Sequence, residues 1–153
     1  RSWAMRRFRF RLERLLELRA RREREALYRL AEATGHCVRL ARRIQELGRE
    51  RGAAYRSVPA ATGGLDIDMG LFAYRERYLA WLAASRRRLS QELERRESQR
   101  QQVQARYLEA AKEHKVLEKL KERREAEHRR ASRIEEFNVQ DDAAASQYLR
   151  ASE

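Results

Sequence analysis

Pro59 is the only proline in the 153-residue chain, and the segment around it, 57–64 (SVPAATGG), is the main interruption in a sequence that is otherwise helix-forming. The proline ring fixes φ and removes an amide donor, so it cannot continue a helix, while Gly63 and Gly64 adopt dihedrals that other residues avoid. Asp66 or Asp68 then offers a side-chain oxygen to the free amides of a new helix as its N-cap. A short break between two long amphipathic stretches predicts an antiparallel helical hairpin. The expected organisation is a basic arm over 1–7, a first helix over 8–56, a Pro/Gly turn over 57–67, a second helix over 68–149 and a frayed end over 150–153.

The first helix carries Leu30, Ala33, Cys37, Leu40, Ile44 and Leu47 in alternating steps of three and four. That spacing holds one narrow stripe against a partner helix. Leu12, Leu15, Leu16 and Leu18 give a broader face before it, and the charged run 19–25 (RARRERE) predicts loose pairing between the two. In the second helix Leu71, Tyr74, Tyr78, Trp81 and Leu82 open a strong stripe that continues through Leu89 and Leu93. It then thins to Val103, Tyr107, Ala110, Leu117, Leu120, Ala131 and Ile134 among Arg, Gln, His and Glu, and residues 141–153 lose the pattern and are expected to fray. The fold class is all-α: an antiparallel two-helix coiled-coil hairpin with the second helix longer than the first.

Length sharpens the expectation. At about 1.5 Å per residue the first helix runs roughly 70 Å and the second roughly 120 Å. Folding back at 57–67 sets Leu12 near position 112 and Phe8 near 116, which leaves 117–136 without an intrachain partner beyond the few residues before Phe8. An amphipathic helix in that state is covered by another protein or is mobile.

Charge and composition set the classes of function. Charged residues make up 39% of the chain and the formal net charge is +12, with Lys112, Lys115, Lys119 and Lys121 the only lysines among 36 basic residues. Nucleic acid, an acidic membrane surface and an acidic protein are all allowed partners; alternating charges on solvated helix faces account for the same pattern. With Cys37 the sole cysteine, an intrachain disulfide is impossible. No apolar run approaches the roughly 20 residues that span a bilayer, and residues 1–7 (RSWAMRR) lack the hydrophobic core of a signal peptide. A cytosolic protein is expected.

No residue pattern here is that of an enzyme. His36 and Cys37 are helix neighbours whose side chains diverge by about 100°, which suits neither a metal pair nor a nucleophile with its base. Cys37 lies on the apolar seam, and His114 and His128 read as isolated, solvated residues. Gly63-Gly64 lacks the Lys and Ser/Thr of a phosphate loop, and no cofactor is expected. Three stretches remain. Arg1, Arg6, Arg7, Arg9 and Arg11, interleaved with Trp3, Phe8 and Phe10, form a cationic arm suited to lipid, nucleic acid or a protein partner. Tyr74, Tyr78 and Trp81 exceed what a two-helix seam buries and offer a partner surface besides seam packing. Residues 117–136, where Lys/Arg and Glu alternate round a thin apolar line, are either a solvated spacer or part of a groove or channel lined by both charge signs.

Two of these stretches resemble a known family. Residues 8–19 (FRFRLERLLELR) fit the opening Phe-x-Phe-x-Leu-x-x-Leu-Leu-x-Leu-Arg of the flagellar export protein FliJ family. Residues 114–124 (HKVLEKLKERR), followed by charged helix with Glu135-Glu136 and Asp141-Asp142, resemble its other end. The resemblance implies a cytoplasmic component of the flagellar type III export apparatus, peripheral to the inner membrane and shaped like the central stalk of a rotary ATPase. It implies three partners: the hexameric export ATPase, whose assembly and activity it promotes, the cytoplasmic domain of the export gate, and export chaperones. Carried onto this chain, the ATPase-binding candidates are Phe8, Phe10, Leu12, Leu16, Leu117, Leu120 and Arg124, and the gate-binding candidates are Tyr74, Tyr78 and Leu82. The stalk protein of a virulence type III secretion system, a basic coiled coil on nucleic acid and a plain spacer are the rival readings.

Overall fold

The computed structural model of the protein describes residues 6–57 and 69–153. Pro59, Gly63, Gly64, the N-cap candidates Asp66 and Asp68, and Trp3 with most of the basic arm lie outside the described residues. Two helices, α1 (Glu13–Arg56) and α2 (Met69–Ala151), pack against each other as the expected hairpin, with α2 the longer.

The start of α1 differs from expectation: the chain is not helical over 8–10, and the first helical residue is Glu13. Its amide donates to the Phe10 carbonyl at 3.2 Å, and Leu16 donates to Leu12 at 2.9 Å. The reason lies in two competing patterns. Phe8 and Phe10 are half-buried while Arg9 and Arg11 are exposed, a two-residue alternation proper to extended chain. Arg6, Arg7, Arg9 and Arg11 would also sit as cations at the positive end of the helix dipole, whereas Glu13 favours it.

The far end of α1 is closed by side chains. Ser57 Oγ donates to the Ala54 carbonyl at 3.0 Å, and Arg75 of α2 reaches the same carbonyl at 3.3 Å. At its own end, α2 stays helical to Ala151, where Ser152 Oγ donates to Leu149 at 2.9 Å. The expected fraying of 141–153 is therefore corrected. Asp141-Asp142, the alanines and Gln147 satisfy their backbone groups within the helix without needing an apolar stripe, because local hydrogen bonding requires no partner.

The packing resolves into two units. In the unit Glu25–Leu108, α1 contributes Leu30, Ala33, Cys37, Leu40, Ile44 and Leu47, each buried or half-buried as the spacing predicts. From α2 come Leu79, Leu82, Ser85, Leu89, Leu93 and Val103. Leu47 and Leu82 are 2% and 1% exposed, and burying each contributes about 2 kcal/mol. Among the described residues, the fully buried ones are Cys37, Leu47, Leu79, Leu82 and Ser85, all in this unit. Gly48 admits the Arg86 guanidinium, whose carbon lies 3.7 Å from where a Cβ would stand.

The other unit joins the chain up to Arg24 with Glu109–Glu153. Nothing described in it is fully buried. Leu15, Leu16, Ala20, Ala110, Leu117 and Leu120 are half-buried, and charged residues fill the intervening seam positions. Beyond His128, every residue except Ser132 is exposed, including Ile134, Phe137, Tyr148 and Leu149.

Candidate functional site

In the unit holding both chain ends, a ladder of polar contacts ties α1 to α2. Arg19 pairs with Glu113, and Glu23 accepts from His114 Nδ1. The other ring nitrogen of His114 faces Glu118 at 3.3 Å, so a ring only 19% exposed is held between two carboxylates. About two turns further out, Lys121 Nζ lies 2.9 Å from Glu13. That hydrogen bond, with the Glu13, Glu125 and Glu17 charges behind it, raises the Lys121 pKa above its ordinary value against a partial desolvation. Last, the rings of Phe8 and His128 approach to 5.6 Å at a tilt of 57°.

This ladder corrects three expectations. His114 and His128 are not isolated: each meets a residue from the start of the chain. The run 19–25 does not loosen pairing by its charge, since Arg19 and Glu23 both find opposite partners on α2. Nor is the stretch after Leu117 bare from its beginning, because Lys121 and His128 are both engaged. Glu13 stands beside Lys121, well past position 112, because α2 does not fold back symmetrically about the turn. Arg75 of α2 reaches Ala54 near the end of α1, and Met69, Phe72 and Tyr74 before it are exposed. Among the described residues, cover from α1 and the chain before it ends near His128, and 129–151 meets no other described element.

The sequence-predicted site residues divide between the two units. Phe8, Phe10, Leu16, Leu117 and Leu120 are half-buried in the end unit, with Leu12 and Arg124 on its outside. Tyr74 is exposed at the start of α2, Tyr78 is half-buried and Leu82 is buried. Leu82 is thus a core residue of the hairpin and offers no side chain to a gate. Tyr78 stacks on Trp81, with centroids 6.3 Å apart and planes 17° from parallel. Sequence reading missed the cross-helix partners Glu13, Glu23 and Glu113, and the same-helix contact of Glu118 with His114. A signal existed: Tyr107, Ala110, His114, Leu117 and Lys121 keep the three–four step, but two of the five are polar, and an apolar search passes over them.

Among the described residues no group of three His, Cys, Asp or Glu is placed to hold a metal. His36 contacts Arg39 at 3.1 Å, and Cys37 is buried on the seam, where burial, and then Glu97, raise its pKa.

A family profile described as flagellar FliJ protein matches residues 8–153, from the half-buried Phe8 through the end of the exposed α2 tail. The chain belongs to the flagellar FliJ family. FliJ proteins are non-enzymatic components of the flagellar export apparatus, and the helical hairpin agrees with that assignment. Searches of curated proteins and of solved structures find no significant match. No helix among the described residues is long and apolar enough to cross a membrane.

Proposed function

We propose that this FliJ-family chain is the central-stalk-like coiled coil of the flagellar export machine. It binds the hexameric export ATPase through its end unit, promotes ring assembly and turnover, and links the ring to the export gate and to export chaperones. The observation that carries the reading is the make-up of that unit within a FliJ-family chain. Half-buried leucines and a polar ladder join α1 to α2, and an exposed helix of mixed charge continues beyond His128. Such a helix presents different side chains around its circumference, and exposed ion pairs are weak enough to be remade as a ring cycles. The gate contact falls to Tyr74, the exposed member of its candidate set.

The test is the turnover of the cognate ATPase with and without this chain. Leu117 and Leu120 are half-buried, so aspartate there disturbs the seam as well as any contact surface. Arg124→Glu with Ile134→Asp changes only exposed positions. The unsubstituted chain is expected to raise turnover, and the double variant to lose most of that increase while keeping its helical circular dichroism. An ATPase rate indifferent to both chains refutes the stalk reading.

A further inference from the structure

One flank of α2 in the unit Glu25–Leu108 carries Tyr74, Arg77, Trp81, Arg88 and Arg95. Their spacing follows multiples of three, four and seven, which keeps them in one row on a helix of about 3.6 residues per turn. All five are exposed, Tyr74 at 70% and Trp81 at 52%, and they run beside the seam that buries Leu79 and Leu82. The stack on Tyr78 fixes the indole.

The row is predominantly cationic, with Glu92 the acid beside it. Neither Arg77 nor Arg95 has a carboxylate in ion-pair reach among the described residues, and Arg88 donates only to Ser85 Oγ, at 3.3 Å. Glu92, the acid on this flank, is turned to Arg96 at 3.9 Å. Between Glu76 and Glu92 the sequence holds Arg77, Arg86, Arg87 and Arg88 and no acidic residue.

We propose that this row docks the protein directly on an anionic phospholipid surface, with α2 lying along the headgroups. From Tyr74 to Arg95 the row extends about 32 Å in a straight line, the geometry that meets a plane along its whole length. Guanidinium groups bind headgroup phosphates through paired donors, and indole and phenol rings settle at headgroup depth. With one tryptophan and one tyrosine among three arginines, the helix rests on the surface and does not sink into it, and charge supplies most of the affinity.

Nucleic acid fits the row less well. A single strand is held by aromatic platforms repeated along its path, yet no aromatic residue occurs between Trp81 and Tyr107. Duplex phosphates curve away from a straight row and leave Tyr74 and Trp81 with nothing to contact. The proposal is independent of any contact with the ATPase.

Co-sedimentation of the full chain with vesicles tests it, comparing phosphatidylcholine alone with an equal mixture of phosphatidylcholine and phosphatidylglycerol. Binding to the anionic vesicles is expected to weaken as salt rises and to fall about 100-fold in the triple variant Arg77→Glu/Arg88→Glu/Arg95→Glu. The corresponding triple lysine variant should keep most of it. In a Trp3→Phe background Trp81 is the sole tryptophan, and its emission should shift to the blue on anionic vesicles only. This readout needs no change in the row itself. Unchanged Trp81 emission, equal binding by the glutamate variant, or a Trp81 response to a single-stranded oligonucleotide that exceeds the response to vesicles would each overturn the proposal.

Discussion

The two units of this hairpin use one geometry and two chemistries. In Glu25–Leu108, Cys37, Leu47, Leu79 and Leu82 close a dry seam. In the unit at the chain ends, the equivalent level is held by Arg19 with Glu113, Glu23 with His114, and Glu13 with Lys121. Buried leucines stabilise in proportion to area removed from water, whereas ion pairs at a third exposed gain little over their hydrated separate states. The comparison teaches that stability and readiness to exchange partners have been placed in different parts of the molecule. The leucine unit supplies most of the stability, and the charged unit adds register through pairs that are individually weak.

The sharpest way to break this contrast is Leu82→Ala. Removing a side chain 1% exposed is expected to cost about 3 kcal/mol in urea unfolding followed by circular dichroism. A cost under about 1 kcal/mol would mean the leucine unit is not the source of stability. Next in size is Gly48→Ala. The new Cβ meets Arg86 at ordinary contact distance, so the gain in helix propensity of about 1 kcal/mol is expected to appear as a higher melting temperature. A loss instead would show that the guanidinium of Arg86 cannot yield there.

A smaller effect sharpens the other side. A double-mutant cycle on Arg19 and Glu113, 27% and 41% exposed, should give a coupling of about 0.5 kcal/mol that fades in 1 M salt. A salt-resistant coupling of several kcal/mol would erase the distinction between the units.

The smallest is alkaline. Burial and Glu97 hold the Cys37 thiol protonated above its ordinary 9.0, and Glu13 does the same for Lys121 above its ordinary 10.5. In both cases the native state binds the proton more tightly than the unfolded chain. The contribution is therefore whole below those ordinary values and is lost as pH climbs through the raised native ones. Melting temperature should decline as pH rises above the ordinary 9.0 of a thiol and further above the ordinary 10.5 of a lysine, and Cys37→Ala should remove the earlier part of the decline.

These contrasts also explain what the sequence disclosed. The α1 stripe from Leu30 to Leu47 was legible because every member is apolar and the three–four step is unbroken. The hairpin followed from it and from the break at Pro59. The α2 side was harder, since its seam passes through Ser85, Arg96, Glu97, Arg100, His114 and Lys121 while Leu71, Tyr74, Trp81 and Phe137 point outward. With no apolar match to fix the register, folding back by length at 57–67 set Leu12 against position 112. Register in such a pair is encoded jointly by leucines in one unit and by opposite charges in the other, and opposite charges on long side chains have many alternative matches. The start of α1 was obscured for a related reason: Phe8 and Phe10 carry weight in both a helical and an extended pattern, and the arginines around them decide between the two.

One consequence follows from the burial of Cys37. As the chain's lone thiol, enclosed between the helices, it can be alkylated only when they part at that level. The rate at which an added maleimide consumes it therefore times the breathing of the leucine seam from a single native atom, with no engineered label to disturb what is being timed.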